Sequence, residues 1–283
     1  MEIAPAPAPP GLDLPLQQHA GFARILGPHC TSYGIYDQGV AVGHVQLIRR
    51  GRFSLASRGP VWLDAGAEAE GMRALRRSLP AGSGLVVNAE TRVTSGWRSG
   101  FVRLAGGITV ADWALGPADD MRAALHSKWR NRLVRAEKSG LQVKRCALPA
   151  DPAHWLLVQD GQQQRSKGYH AWPASLCAAY ARSNPEQVQL WTADLGCGPV
   201  AAVLVLIHGA VATYQIGWAG PAGRNSHAHN LLLWSAACWL ADRGLRRFDL
   251  GSVDEGRAPG VAHFKRGTGA AVRQLGGTWA TLR

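Results

Sequence analysis

Val200-Ala-Ala-Val-Leu-Val-Leu-Ile207 is a continuous apolar run bounded by turn signals at 194–198 and at His208-Gly209. A continuous apolar run of this length between turns reads as a buried strand. It is far short of the roughly 20 residues needed to span a bilayer. Leu190-Trp-Thr-Ala193 lies before it and Val211-Ala-Thr-Tyr-Gln-Ile-Gly-Trp218 after it, so the segment predicts three antiparallel strands. A polar loop over 219–230 follows. A helix over 231–243 is stopped by Gly244, the residue that best tolerates the left-handed exit, and a strand over 247–250 closes the unit.

The same order occurs earlier in the chain. Gly39-Val-Ala-Val-Gly-His-Val-Gln-Leu-Ile48 aligns with Gly198-Pro-Val-Ala-Ala-Val-Leu-Val-Leu-Ile207. Around it, strands are expected at 35–36, 40–48 and 53–57, then a helix over 67–78 that stops before Pro80, then a strand at 85–88. Internal duplication explains the recurrence economically. Chance likeness of two hairpins is the other reading.

Composition bounds the alternatives. Of 283 residues 46% are hydrophobic, enough for real cores and against extended disorder. The five cysteines, at 30, 146, 177, 197 and 238, are odd in number and never in CxxC spacing. That excludes a disulfide-stapled secreted module and suggests reduced thiols in a cytoplasmic protein. Residues 1–16 lack the basic start and apolar run of a signal peptide and read as a flexible Pro/Ala tail.

The net charge of +12 is unevenly spread: 122–145 holds eight Lys or Arg and one acid, Glu137. An arginine-rich genome explains such a balance in general. Concentration in one segment instead suggests a polyanionic partner: RNA, a nucleotide or an anionic lipid surface. Asp119-Asp120 starts a helix that Gly140 ends. Met121, Leu125, Trp129, Leu133 and Ala136 line one face of it, and Lys128, Arg132 and Arg135 lie on an adjacent one, with Arg130 on another. A solvated face of a packing helix is the plain alternative to a polyanion site.

There is no GxSxG, HExxH or P-loop motif. His227 and His229 form the one close histidine pair, but no nearby Cys or acid completes a ligand set, so no metal site is expected.

Several segments resemble one known family. Arg58-Gly-Pro-Val-Trp62, His126-Ser-Lys-Trp-Arg-Asn-Arg-Leu-Val-Arg-Ala-Glu-Lys138, Ala212-Thr-Tyr-Gln-Ile-Gly-Trp218, Phe248-Asp-Leu-Gly251 and Phe264-Lys-Arg-Gly-Thr-Gly269 are similar, in that order, to motifs of the Fem-type peptidoglycan-bridge aminoacyltransferases. Those enzymes are tandem GNAT-fold acyltransferases, and the likeness runs over about 35–280.

The resemblance implies an α+β fold of two tandem GNAT-like domains, with mixed, mostly antiparallel sheets flanked by helices. The expected division is the tail 1–16, a first domain 17–118, a basic connecting helix 119–145 and a second domain 146–283. The implied activity is amide-bond formation on an amine acceptor with aminoacyl-tRNA as donor. An acyl-CoA N-acyltransferase is the alternative, and a non-catalytic RNA-binding protein of this fold a second one.

In the GNAT fold two strands splay apart around the donor carbonyl, and the next helix N-terminus receives pyrophosphate. The equivalent loop here, 220–229, has Arg224 but no close Gly-x-Gly, and His227 and His229 stand where backbone would approach phosphate. That argues against tight coenzyme A binding. By this resemblance Lys265, in a Gly-flanked terminal loop, binds the tRNA end or stabilises the tetrahedral intermediate. Tyr214 lines the donor channel and Asp249 orients the amine. Arg224, His227, His229, Asn230 and Arg266 bind the donor. Arg58, Trp62, Lys128, Arg130, Arg132 and Arg135 meet the acceptor or a nucleic-acid backbone. No resident cofactor is expected. Peripheral membrane contact is compatible with the charge.

Overall fold

Strand pairing follows the apolar runs in both repeats. The computed structural model describes residues 1–281 and separates into two units: unit 1, Met1–Thr109 with the C-terminal segment from Arg273, and unit 2, Val110–Val272. In chain order unit 1 contributes β1 (Glu2–Pro5), α1 (Ala20–Leu26), β2 (Cys30–Asp37), β3 (Val40–Arg50), β4 (Phe53–Ser57), β5 (Val61–Trp62), α2 (Glu68–Arg77), β6 (Gly84–Ala89) and β7 (Phe101–Ala105). Then come β8 (Thr109–Ala114), α3 (Ala118–Ala124), α4 (Ser127–Glu137), β9 (Gln142–Ala147), α5 (Trp155–Lys167) and α6 (Ala174–Ser183). The second repeat follows as β10 (Val188–Asp194), β11 (Pro199–His208), β12 (Val211–Ala219), α7 (Pro221–Asn225), α8 (Ala228–Asp242) and β13 (Arg247–Ser252). After α9 (Pro259–Arg266) and β14 (Ala271–Gln274), β15 (Gly277–Thr281) enters the first sheet. The sheets run β1-β2-β3-β4-β6-β15-β7, with β5 on β3, and β14-β8-β13-β12-β11-β10-β9. The expected α+β architecture of two mostly antiparallel sheets is present.

The repeat is topological. β2-β3-β4-α2-β6 and β10-β11-β12-α8-β13 each comprise an antiparallel meander, a helix, and a final strand parallel to the third. The two copies differ at that parallel pair. β4 and β6 are paired along all of Phe53–Ser57. β12 and β13 pair only over Val211–Thr213 against Arg247–Asp249 and then part. β12 also carries a bulge at Gln215, opposite Leu204/Val205, and β13 one at Leu250, between the partners of Asp112 and Ala111. Bulges bend a strand and end regular pairing. Among the described strands, the gap therefore opens in unit 2, and its counterpart in unit 1 is closed.

Each unit has its own core. In unit 1, Ile35, Val45 and Leu47 pack with Met72 and Leu75 of α2 and with Leu85 and Val87. In unit 2, α8 places Leu232, Leu233, Ala236, Ala237 and Leu240 on Val203, Val205 and Phe248, and α4 adds Trp129 and Leu133. Trp113 stacks on Phe248 and meets Trp129 edge-on. All five cysteines are free.

Several expectations change. The first 16 residues are not a flexible tail: Glu2–Pro5 adds an edge strand to β2, and Leu14 and Leu16 are buried. Proline is tolerated there because an edge strand leaves one row of backbone groups unpaired. The basic segment is not one helix. It stops at Ala124 and restarts at Ser127, because Leu125 and His126 are extended and the His126 N–H donates to the Gly267 carbonyl at 3.0 Å. Its exit, expected as helix to 145, includes strand β9. The units divide at 109/110, not at 118, and the last strand joins the first sheet.

In unit 1 the buried Glu90 carboxylate binds Arg58 through two hydrogen bonds of 2.7 and 3.0 Å, and also Arg273. Glu90→Ala would leave two arginines facing an empty counter-charge. A loss of roughly 3–5 kcal/mol in urea unfolding is expected, whereas breaking an exposed pair such as Arg77–Glu70 should change stability little.

Candidate functional site

The gap between β12 and β13 brings together Lys265, Tyr214, Asp249 and His229. Lys265 is not in a loop. It lies on α9 and is buried, with Nζ donating to the Ser252 carbonyl at 2.8 Å at the end of β13. The same ammonium sits 5.9 Å from the centre of the Tyr214 ring on β12, so it spans the two parting strands. Burial pulls the Lys265 amine down to about 8, partly countered by the Asp249 carboxylate. Asp249 is buried and its Oδ1 accepts from the Gly251 N–H at 2.8 Å. It thus shapes the bulged turn, in which Gly251 has φ +75°, and also supplies charge opposite Lys265.

Tyr214 Oη and His229 Nε2 are 2.7 Å apart. Both rings keep some surface open, yet the surrounding protein desolvates them. Burial holds His229 down at about 4 and pushes the Tyr214 phenol up. The pair is therefore neutral at physiological pH. Gly217 makes it possible: a Cβ there would lie 1.7 Å from Tyr214 Oη and 2.7 Å from His229 Cε1. Phe264, next to Lys265, packs edge-on against His229 with ring centres 5.3 Å apart.

Behind β12 lies a polar relay that the sequence did not reveal. Gln163 Nε2 donates to the Gly217 carbonyl at 3.2 Å and to Tyr169 Oη at 2.9 Å, and the Tyr169 hydroxyl donates to Asp160 at 3.4 Å. Gln164 donates to the other Asp160 oxygen at 2.7 Å. Asp160 is buried, and desolvation raises its carboxyl. Gln164 and Tyr169 also line a cleft of about 610 Å³ between α5 and α6, together with Leu157, Gly161, Arg165 and His170. Only the Gln162-Gln163-Gln164 run on a helix hinted at such a network.

The start of α8 is the third part of the site. The expected loop at 219–230 is largely helical. α7 fills Pro221–Asn225, and α8 begins at Ala228 with His227 in the left-handed conformation before it. Asn230 is buried, with no hydrogen-bond partner for its Nδ2. His227 is held below its ordinary value by burial and then by Arg132 and Arg135 of α4, the helix that packs against α8. Lys128, Arg130, Arg132 and Arg135 are exposed, and Arg122 is paired with Glu137 at 2.8 Å.

The remaining candidates lie elsewhere. Arg224 donates to the Ala219 carbonyl at 2.5 Å and so closes the end of β12. Arg266 pairs with Glu255 at 2.8 Å. In unit 1, Arg58 is committed to Glu90, and Trp62 wedges its ring against Gly43 and Gly71, so both serve packing there. Trp129 is core, as expected. Among the described residues, no group of three or more His, Cys, Asp or Glu is placed to hold a metal ion. No helix among them is long and apolar enough to cross a membrane.

Comparison with known proteins shows the family. The acetyltransferase (GNAT) domain family matches residues 123–266, which contain the gap, Lys265 and the basic helix. No curated protein matches by sequence. Among solved structures, FemX superposes with a TM-score of 0.73 at 13% identity, covering 95% of this chain and 92% of its own. A tandem GNAT protein from the clavulanic acid biosynthesis pathway gives 0.53 at 13% identity, covering 99% and 98%. The C-terminal domain of a putative lysylphosphatidylglycerol synthetase from Agrobacterium fabrum gives 0.52 at 12%, covering 95% and 88%. At such identities the likeness is one of fold.

Proposed function

The chain belongs to the GNAT acetyltransferase family and is an acyltransferase; from that premise we propose that it forms an amide bond on an amine acceptor, with an aminoacyl-tRNA as donor. The observation that supports this donor is the exposed basic face of α4, which packs against α8, the helix that carries His229 of the Tyr214–His229 pair. A polyanion lying along Lys128, Arg132 and Arg135 would bring its acylated end to the gap.

In the reaction the neutral acceptor amine attacks the ester carbonyl. The N–C bond forms, the C–O bond to the ribose breaks, and the amine proton leaves with the ribose hydroxyl. Positioning the two reactants together removes several kcal/mol of barrier without a dedicated base. The developing oxyanion needs donors aimed at it. Backbone N–H groups of β12 beyond Thr213, unpaired on the β13 side, and the Lys265 ammonium are the candidates. The Asp249 carboxylate favours the charged form of Lys265, the Ser252 carbonyl holds its ammonium, and the uncharged Tyr214–His229 pair forms a wall of the gap.

The second reading is an acyl-CoA donor, favoured by the family to which the chain belongs. Against it stands His227 at φ +54°, where a glycine-rich turn would let backbone approach pyrophosphate. The test is to supply labelled aminoacyl-tRNA or labelled acetyl-CoA with a panel of amines. Label should reach the amine from the tRNA ester. Label moving only from acetyl-CoA selects the second reading, and tight RNA binding without transfer selects a binding protein. Alanine at Lys128, Arg132 and Arg135 together should lower the slope of log affinity against log salt for tRNA by about 2–3.

A further inference from the structure

Unit 1 carries an exposed feature that acyl transfer does not use. β7 is the outer strand of the first sheet. On it and beside it, Trp97 is 72% exposed, Leu104 61% and Ile108 58%. Side chains this large and this open along one sheet edge call for a partner, since an apolar edge strand is otherwise an aggregation site. The backbone places them together. Leu104 is the bulged residue of β7, between Arg103 opposite Trp279 and Ala105 opposite Thr278. Gly96, next to Trp97, abuts the Trp279 ring, where a Cβ would come within 2.1 Å. The Ile108 carbonyl accepts from Leu275 at 2.9 Å, just before β15 begins. The three apolar side chains thus follow one edge beside β15.

Exposed arginines flank them, while the Glu68 carboxylate that holds the same segment through Thr94 and Ser95 is buried. Residues 91–111 contain Arg92, Arg98 and Arg103 and no acid. Arg103 lies 6.0 Å from the Trp279 ring centre, and Arg76 of α2 reaches the backbone at Gly100.

We propose that this edge is a docking surface for an anionic lipid bilayer, with Trp97, Leu104 and Ile108 entering the headgroup boundary and Arg76, Arg98 and Arg103 facing lipid phosphates. An indole is well suited to the bilayer interface, and arginines around it add attraction to an anionic surface. Nucleic acid would match the arginines and stack on Trp97, but it offers nothing to the aliphatic Leu104 and Ile108. The bilayer matches all of them.

The test uses the full chain and vesicles of phosphatidylcholine, with or without phosphatidylglycerol, in a sedimentation assay. Binding is expected with phosphatidylglycerol and weak without it. Trp97→Asp with Leu104→Asp should weaken it at least about tenfold, with thermal melting unchanged because both side chains are exposed. Trp97→Phe should retain most of the binding. Three results would overturn the proposal. One is equal binding of wild type and double variant, which would assign the lipid attraction to α4. Another is a concentration-dependent dimer by light scattering that the double variant abolishes. The last is loss of RNA binding but not vesicle binding in that variant.

Discussion

Lys265→Met is expected to lower amide-forming turnover at least about tenfold while the protein stays folded. The ammonium is a buried cation of the gap, tied to Ser252 and facing Tyr214. Methionine fills a similar volume without charge. Because burial lowers the Lys265 amine to about 8, the group is charged below that pH and neutral above it. The wild-type kcat/KM should therefore fall as pH rises past about 8, and Lys265→Arg, which stays charged, should move that limb to higher pH. The same shift has a signature in stability. An amine at about 8 in the folded chain titrates from 10.5 in the unfolded one, so the unfolded state binds more protons in between. The stability difference between wild type and Lys265→Met should then shift in favour of wild type as pH rises across that window. At pH 7 the buried ammonium is a cost to folding, so the variant should melt no lower than wild type. Unchanged turnover in Lys265→Met would remove the residue from the mechanism.

Gly217→Ala should have the second large effect. A Cβ at 1.7 Å from Tyr214 Oη cannot coexist with the 2.7 Å contact between Tyr214 and His229. Either the pair separates or β12 shifts away from Gln163. Overpacking of this kind costs about 1–3 kcal/mol. Displacement of a wall of the gap by about 1 Å is expected to reduce turnover by roughly two orders of magnitude. Gly116→Ala, in the same unit with nothing within 4 Å of the added carbon, serves as the control. It should change stability and turnover little, as read by chemical denaturation and by the transfer assay. Equal behaviour of the two variants would mean that the Tyr214–His229 pair is not needed.

Much of the fold was legible because both repeats advertise themselves locally. The helix expected at 67–78 is α2 at Glu68–Arg77, and the strand expected at 200–207 is the middle of β11. What stayed hidden depends on contacts between segments far apart in sequence. β15 reads as nothing in particular until β6 and β7 flank it. The break at Leu125–His126 has no proline or glycine to announce it and is held by the Gly267 carbonyl. Lys265 shows the same limit at the site. The glycines after it suggest a loop, but Ala262 packing into unit 2 buries the turn of helix that carries it. The motif residues Tyr214, Asp249 and Lys265 do converge, because parallel pairing stops at Thr213 and α9 crosses the opening. Arg58 and Trp62, read from an equally suggestive motif, turn out to hold unit 1 together.

On this reading the acyl group is transferred in the opening between β12 and β13. A crystal structure with an amide-linked aminoacyl-adenosine, which mimics the 3′ end of the charged donor but cannot be cleaved, tests it most directly. The account predicts the analogue's carbonyl in that opening, within hydrogen-bond reach of Lys265 Nζ and with the adenosine toward the α8 N-terminus. Density for the analogue in unit 1, or in unit 2 away from Lys265, would contradict it.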